Sequence, residues 1–230
     1  STYPTGGEVF EVFEDPDPTI TWTKVGNIQN VRIDFSTNAG APVFNNVITA
    51  STPAAGLAFP WDIGNTPSPN VVVRVADALD PSTVNSISSL TDRIRIKVIF
   101  DITSVGMSPL TGYVWEVGSA QTIKWSTVGD CPQVKLELSK DAAHENWEPI
   151  ITGDGIVANT DLGIAWDPVL DRISNTCIIR VTDPRDTETF VDSGNFKIRG
   201  KLTLDQPDGG EFLNVDSSYD IQWTTVGTVA

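Results

Sequence analysis

The chain has 230 residues, and 30 aspartate and glutamate side chains against 15 lysine and arginine side chains give it a formal net charge of -15. So acidic a chain is repelled by phosphate backbones and anionic lipids, which argues against nucleic acid and membrane surfaces as partners. Its length suits about two ordinary domains, and no apolar run is long enough to span a bilayer.

A short motif occurs three times, and each copy predicts a β-strand that ends in a turn. The copies are residues 19–26, 122–129 and 220–227. In each copy an isoleucine and a tryptophan lie two residues apart with a polar residue between them, so a strand would bury both on one face. A glycine four residues after the tryptophan predicts the turn.

The repeat also extends upstream of the motif. Gly7, Gly112 and Gly210 share a common register, and each precedes a short, largely apolar strand. These strands are residues 9–12, 114–117 and 212–215. A periodicity of this length indicates repeated structural units rather than one merged domain.

The first two copies continue in parallel through further predicted strands. These are residues 31–36, 71–75 and 93–96 in the first copy and residues 134–139, 177–181 and 195–198 in the second. The first strand alternates apolar and charged residues, which is typical of a half-buried strand. The second is apolar on both faces apart from Arg74 or Arg180, so we expect it in the middle of a sheet. Residues 79–90 are predicted to be a loop.

About seven short strands per unit, frequent turn residues and no helical periodicity predict an all-β protein made of tandem Greek-key sandwiches. We place the first repeat at residues 1–97, without a lead-in strand, and the second at residues 98–199. Residues 200–230 are interpreted as the N-terminal fragment of a third repeat, which is only partly present.

Large side chains at repeated positions are assigned to the structural core. They are Trp22, Trp61, Trp125, Trp166 and Trp223, together with Arg74 and Arg180. Trp147 aligns with Phe44, and Trp115 aligns with Phe10 and Leu213. Repetition at framework positions is what core packing predicts, so no tryptophan is left as an exposed sugar-stacking platform.

This set of motifs resembles the immunoglobulin-like repeats of large secreted and surface proteins of microbes. It is also similar to the immunoglobulin-like domain of fungal Ser/Thr-rich, lipid-anchored (GPI-anchored) cell-wall proteins. The resemblance covers both full repeats. It implies a structural or adhesive module that lies outside the cytoplasm, at the cell surface or beyond it.

No residue is assigned a catalytic, cofactor-binding or metal-binding role. The one histidine, His144, lies in a loop without a counterpart in the first repeat, which predicts a surface residue. Acidic residues crowd the turns, for example Asp15, Asp161 and Asp183, but their spacing does not match a twelve-residue calcium loop. Solvated turns are favoured, bound calcium stays open, and a carboxylate pair for glycoside hydrolysis is least favoured.

Both cysteines, Cys131 and Cys177, lie in the second repeat. In an immunoglobulin-like order they begin the third and sixth strands, which run antiparallel as neighbours. Their starts lie about 15 to 20 Å apart for strands of ordinary length, too far for a disulfide without a shifted topology. A bridge is possible, but two buried thiols are favoured.

The leading functional hypothesis is a non-catalytic repeat of a long extracellular protein, which spaces, adheres or assembles into a layer, sheath or fibre. Its expected partners are neighbouring repeats and copies of itself. A carbohydrate-binding module, with a glycan as partner, is the alternative. A further alternative is an accessory domain of a secreted enzyme.

Overall fold

A computed structural model describes residues 3–83, 85–103, 113–160 and 162–228. Gly112, used above to align the repeats, and the acidic Asp161 lie outside these residues. The chain divides into two compact units. Unit 1 contains Ser1–Ile99, Thr127–Pro132 and Asp183–Thr189, and unit 2 contains Phe100–Ser126, Gln133–Thr182 and Phe190–Ala230.

Unit 1 is built from short strands and one 3-10 helix. In chain order the strands are β1 (Val9–Glu11), β2 (Thr19–Thr21), β3 (Asn30–Ser36), β4 (Asn46–Pro53), β5 (Ala58–Pro60), β6 (Ser68–Asp77), β7 (Asn85–Ile87) and β8 (Ile94–Lys97). The 3-10 helix is Ala54–Gly56 and lies between β4 and β5. The main sheet has the order β1-β8-β6-β3-β4, with β7 also paired to β6, and β2 and β5 form the second sheet.

The core of unit 1 lies between these two sheets. Along β3 and β6 every second side chain points inward, and Ile33 and Val73 are fully buried there. Ile20 from β2 and the indole of Trp61 complete the same cluster from the other sheet. Alternation with a period of two thus places one face of each central strand in the core.

The later strands repeat this arrangement. They are β9 (Ile99–Asp101), β10 (Val114–Glu116), β11 (Gln121–Ile123), β12 (Ser126–Val128), β13 (Gln133–Ser139), β14 (Glu148–Pro149), β15 (Ile156–Ala158), β16 (Ile164–Trp166), β17 (Ser174–Asp183), β18 (Asp186–Asp192) and β19 (Phe196–Arg199). The main sheet has the order β10-β19-β17-β13-β14, in which β15 also pairs with β13 and β18 with β17. Smaller sheets pair β11 with β16 and β9 with β12.

The two frameworks correspond strand by strand. β3 and β13 have seven residues each, and β6 and β17 have ten each. In both main sheets the first strand pairs in parallel with the last, β1 with β8 and β10 with β19. Sheet neighbours that are distant in sequence define a Greek-key arrangement, and the chain is all-β with tandem immunoglobulin-like sandwiches.

The last strands form a two-stranded antiparallel sheet. They are β20 (Lys201–Gln206) and β21 (Gln222–Val226), in which Leu204 pairs with Trp223. Among the described residues, no helix has the length and apolar character that crossing a membrane requires.

The structure departs from the expected strands in two places. In the first copy the motif strand ends before its tryptophan, because the backbone N–H of Trp22 donates to the Leu57 carbonyl and its indole donates to the Ala54 carbonyl at 3.1 Å. The tryptophan is therefore held by the 3-10 turn and not by a strand partner. The stretch predicted as a loop contains β7, where Ile87 pairs with Arg74 of β6.

A buried carboxylate links two neighbouring strands on the outer face of the main sheet of unit 1. The side chain of Asp34 is 0% exposed and lies directly across from Arg74 on the neighbouring strand. Arg74 binds it with two nitrogens, Nε at 2.8 Å and Nη2 at 2.7 Å, and Arg32 Nε approaches at 2.6 Å. Removal of this carboxylate would leave two guanidinium groups without their counter-charge.

We expect Asp34→Ala to lower the free energy of unfolding by about 3–5 kcal/mol, the range for breaking a buried ion pair from one side. The matched control is Glu137→Ala at the equivalent position of unit 2, where Glu137 bonds Lys135 at 2.7 Å in a more exposed setting. That change should cost about 1 kcal/mol or less. Denaturant titration measures both, and equal losses would contradict the role assigned to Asp34.

Candidate functional site

Most of the repeated tryptophans lie inside the sandwiches. Trp22, Trp61, Trp125 and Trp166 are only 2–3% exposed. The indole of Trp125 donates to the Asn159 side chain at 2.7 Å, which satisfies its one polar atom. These side chains pack inside the sandwiches.

Trp223 does not occupy a core. Its side chain is 59% exposed, and Ile221 of the same motif copy is also exposed. The reason is geometric, since residues 201–226 form a two-stranded sheet and the described residues include no second layer over this face. Leu213, at the position of the buried Trp115 and Phe10, is likewise exposed.

The two framework arginines lie on the outer faces of their sheets and not in the cores. Arg74 alternates with the buried Val73 and Val75 on β6, so it points to the opposite face. There its guanidinium lies 4.3 Å from the ring centre of Phe44 while it binds Asp34. The charge is thus neutralised on one side and covered by an aromatic ring on the other.

Arg180 takes the same position in unit 2 but has different partners. Its guanidinium carbon lies 4.0 Å from the Trp147 ring centre and 3.7 Å from that of Phe190. Two parallel hydrogen bonds of 2.7 Å join it to both carboxylate oxygens of Asp192. Two aromatic rings and a bidentate ion pair hold one cation here, and we name Trp147, Arg180, Phe190 and Asp192 the outer-face cluster.

The outer-face cluster is the candidate recognition surface of the chain. Phe190 is 45% exposed and Trp147 is partly exposed, whereas alignment with Phe44 placed Trp147 among the core residues. The prediction that no tryptophan is left with an exposed ring was therefore wrong at Trp223, which is exposed, and at Trp147, which is partly exposed. The signal that could have found Trp147 is the arginine itself, since a cation in the middle of an apolar strand needs an aromatic or anionic cover.

Both cysteines carry buried thiols that are not joined in a disulfide. Burial, together with the nearby charge of Asp183, raises the pKa of Cys131 from 9.0 to about 11. Burial also raises the pKa of Cys177. Both groups are neutral thiols near pH 7, and a neutral thiol is a poor nucleophile and a poor metal ligand.

The acidic turns in the described part of the chain lie apart from one another. Within the described ranges, no group of three or more histidine, cysteine, aspartate or glutamate side chains is placed to hold a metal ion. Asp141 instead orders its own loop: the backbone N–H of Asn146 donates to it at 3.0 Å, and this bond lowers the pKa of the Asp141 carboxyl. His144 lies in that loop with positive φ, and its Nδ1 is buried without a partner in the described part of the chain.

Each unit also has a cleft beside the tryptophan that precedes an aspartate, mixed in character in unit 1 and mainly apolar in unit 2. The cleft has a volume of about 470 Å³ in unit 1 and about 320 Å³ in unit 2. Equivalent residues line the two clefts, namely Val47, Ile48, Trp61 and Asp62 in unit 1 and Ile150, Ile151, Trp166 and Asp167 in unit 2. Because both repeats have it, the cleft belongs to the shared framework and not to an activity of one unit.

No protein-family model and no curated protein matches the chain in sequence. Solved structures give weak likenesses. The chain is similar to fibronectin(III)-like modules of Clostridium thermocellum CbhA, with 14% identity and a TM-score of 0.27, over 85% of this chain and 90% of that one.

Two further structures share this likeness. The three N-terminal domains of the outer capsid protein Hoc of bacteriophage RB49 match with 13% identity and a TM-score of 0.29, over 88% of this chain and 59% of that one. The Dpr2 Ig1-Ig2 complex with DIP-Theta Ig1-Ig3 matches with 14% identity and a TM-score of 0.31, over 86% and 66%. The chain spans less than two thirds of these last two. The strand order and pairing of the two main sheets define the fold.

We expect neither thiol to react with a disulfide reagent at pH 8 in the native protein, and both to react after denaturation. Burial and the raised pKa of Cys131 keep the thiolate population low. The pKa of Cys131 is higher in the folded chain than in the unfolded chain, so protonation of this thiol favours the folded state. That stabilisation is complete below pH 9.0 and is lost as the pH rises towards about 11. Colorimetric thiol titration, with Cys131→Ser and Cys177→Ser to assign each group, makes the measurement. Prompt reaction of the native chain would contradict it.

Proposed function

We propose that the chain is a non-catalytic structural and adhesive repeat segment of an extracellular or cell-surface protein. The observation that supports this is that the two repeats have the same framework. Their central strands are equal in length, their first and last strands pair in parallel, and their tryptophans are buried at the same positions. A sandwich repeated along a chain gives length and surface, which suits a spacer or an assembling element. The finer likeness to fungal lipid-anchored cell-wall proteins stays part of this proposal.

The proposal extends to residues 200–228, which we interpret as the start of a third unit. Their motif copy matches the two others, and the apolar side chains of Leu202, Leu204 and Trp223 are more than half exposed on one face of the β20–β21 sheet. Exposed apolar faces of this kind associate with other protein surfaces. Neighbouring repeats and copies of the same chain are the partners that a repeat protein supplies.

A second candidate function is carbohydrate binding, and the outer-face cluster favours it. Trp147 and Phe190 are partly exposed aromatic rings, and a flat ring can stack on a sugar. Arg180 and Asp192 add a donor and an acceptor beside the rings. Each ring already has one face over Arg180, however, which leaves less aromatic surface for a sugar.

Single-molecule stretching tests the proposed spacer role. We expect two separate unfolding events, one for each unit, because each has its own core. Each event should release roughly 30 nm of chain, the extended length of about one hundred residues less the folded span. A single event for the whole chain would contradict independent mechanical units. Asp34→Ala should lower the force of only one of the two events.

A glycan array with the intact chain separates the two functions. We expect no saturable binding to any glycan. Trp147→Ala removes the exposed ring of the outer-face cluster, and Phe44→Ala is the matched control at the equivalent position of unit 1. Saturable binding that is lost in Trp147→Ala and kept in Phe44→Ala would replace the structural role with carbohydrate recognition.

A further inference from the structure

The glycine that ends each motif copy meets different surroundings in the three copies. Gly26, Gly129 and Gly227 all have positive φ, at 84°, 103° and 84°. A Cβ added to Gly26 would have nothing within 4 Å. One added to Gly129 would lie 2.8 Å from a methyl of Val12, and one added to Gly227 would lie 3.1 Å from a methyl of Val117. Backbone conformation explains a glycine in all three copies, but close packing applies only to the second and third.

The contacted valines are equivalent residues of the repeat. Val12 follows β1 and Val117 follows β10, and each donates its backbone N–H to the residue that ends the last strand of its sheet, Lys97 at 2.9 Å or Arg199 at 3.0 Å. Gly129 and Val12 both belong to unit 1, and Gly227 and Val117 both belong to unit 2. Each compact unit therefore contains a motif turn that lies on the same framework position.

The residue after each glycine is fixed by a second equivalent contact. The backbone N–H of Asp130 donates to Oδ1 of Asn65 at 2.6 Å. The backbone N–H of Thr228 donates to Oδ2 of Asp171 at 2.7 Å, and the hydroxyl of Thr228 donates to the same oxygen at 2.5 Å. Asn65 and Asp171 follow the tryptophan that precedes an aspartate in their repeats, Trp61 and Trp166, by four and five residues. An amide oxygen in unit 1 and a carboxylate oxygen in unit 2 thus accept equivalent backbone hydrogen bonds.

We propose that the turn that ends a motif copy is a docking element, and that its partner is a socket in the repeat that precedes it in the chain. The socket consists of Val12 and Asn65 in unit 1 and of Val117 and Asp171 in unit 2. This inference rests on the proposed repeat function and deepens it, since it names the surface by which one repeat recognises the next. The valine methyl lies against the position that a Cβ at the glycine would take, and the oxygen of the asparagine or aspartate accepts the next backbone N–H.

The glycines supply an internal control for this proposal. Gly26→Ala, Gly129→Ala and Gly227→Ala each place a Cβ on a residue with positive φ. We expect this backbone strain to lower the folding equilibrium constant of each variant by roughly tenfold. Gly129→Ala also forces a Cβ against Val12, and we expect a further loss of about tenfold or more from overpacking. Denaturant unfolding of the 230-residue chain measures the three variants side by side.

Amide hydrogen exchange provides the second measurement. Asn65→Ala should speed exchange of the Asp130 amide at least tenfold, and Asp171→Ala should do the same at Thr228, because each loses its acceptor. Asn65→Asp and Asp171→Asn keep an acceptor oxygen, and exchange should stay within about twofold of the parent chain. Asp154→Ala, which removes the similar local bond to the Ile156 amide at 3.1 Å, should leave both amides unchanged.

Two results would overturn the docking element. One is an equal loss in Gly26→Ala and Gly129→Ala, which would reduce the glycine to its backbone role. The other is unchanged exchange at Asp130 in Asn65→Ala. Neither result would change the expectation of two unfolding events in single-molecule stretching. The docking proposal can therefore be disproved while the proposed repeat function stands.

Discussion

The central constraint in this chain is an arginine in the middle of each main sheet. A strand with a period of two that buries valine and isoleucine on one face must send Arg74 or Arg180 to the other. A guanidinium that is largely shielded from water requires an anion and a covering surface. Unit 1 meets this need with the fully buried Asp34 of β3, and unit 2 meets it with Asp192 of β18. The outer face of each sheet is organised around that pairing.

Because the two units meet the same requirement differently, their outer faces differ, whereas both cores keep buried tryptophans at equivalent positions. In unit 1 the ion pair lies under one phenylalanine, and the carboxylate has no exposed surface. In unit 2 the cation lies between two aromatic rings that remain partly open to solvent. The charge and aromatic content of this face can therefore change while the buried tryptophans and the strand order stay the same.

The sequence pattern predicted the features that depend on local periodicity. Alternation located β3 and β13, and the repeated isoleucine and tryptophan located the cores of both sandwiches. It did not reveal that Trp147 lies outside the core, because a loop, and not a strand period, sets which face that side chain covers. Nor could it find Asp192 as the partner of Arg180, since that pair depends on how β18 folds back on β17. Contacts that depend on tertiary geometry cannot be predicted from the spacing of residues along the sequence.

Cys131 precedes β13 and Cys177 lies in β17, and both thiols are buried. A reagent in solution reaches a buried thiol only when the residues that cover it move apart. Each cysteine is therefore an intrinsic probe of local opening, since its rate of modification follows how often its part of the sheet is exposed to solvent.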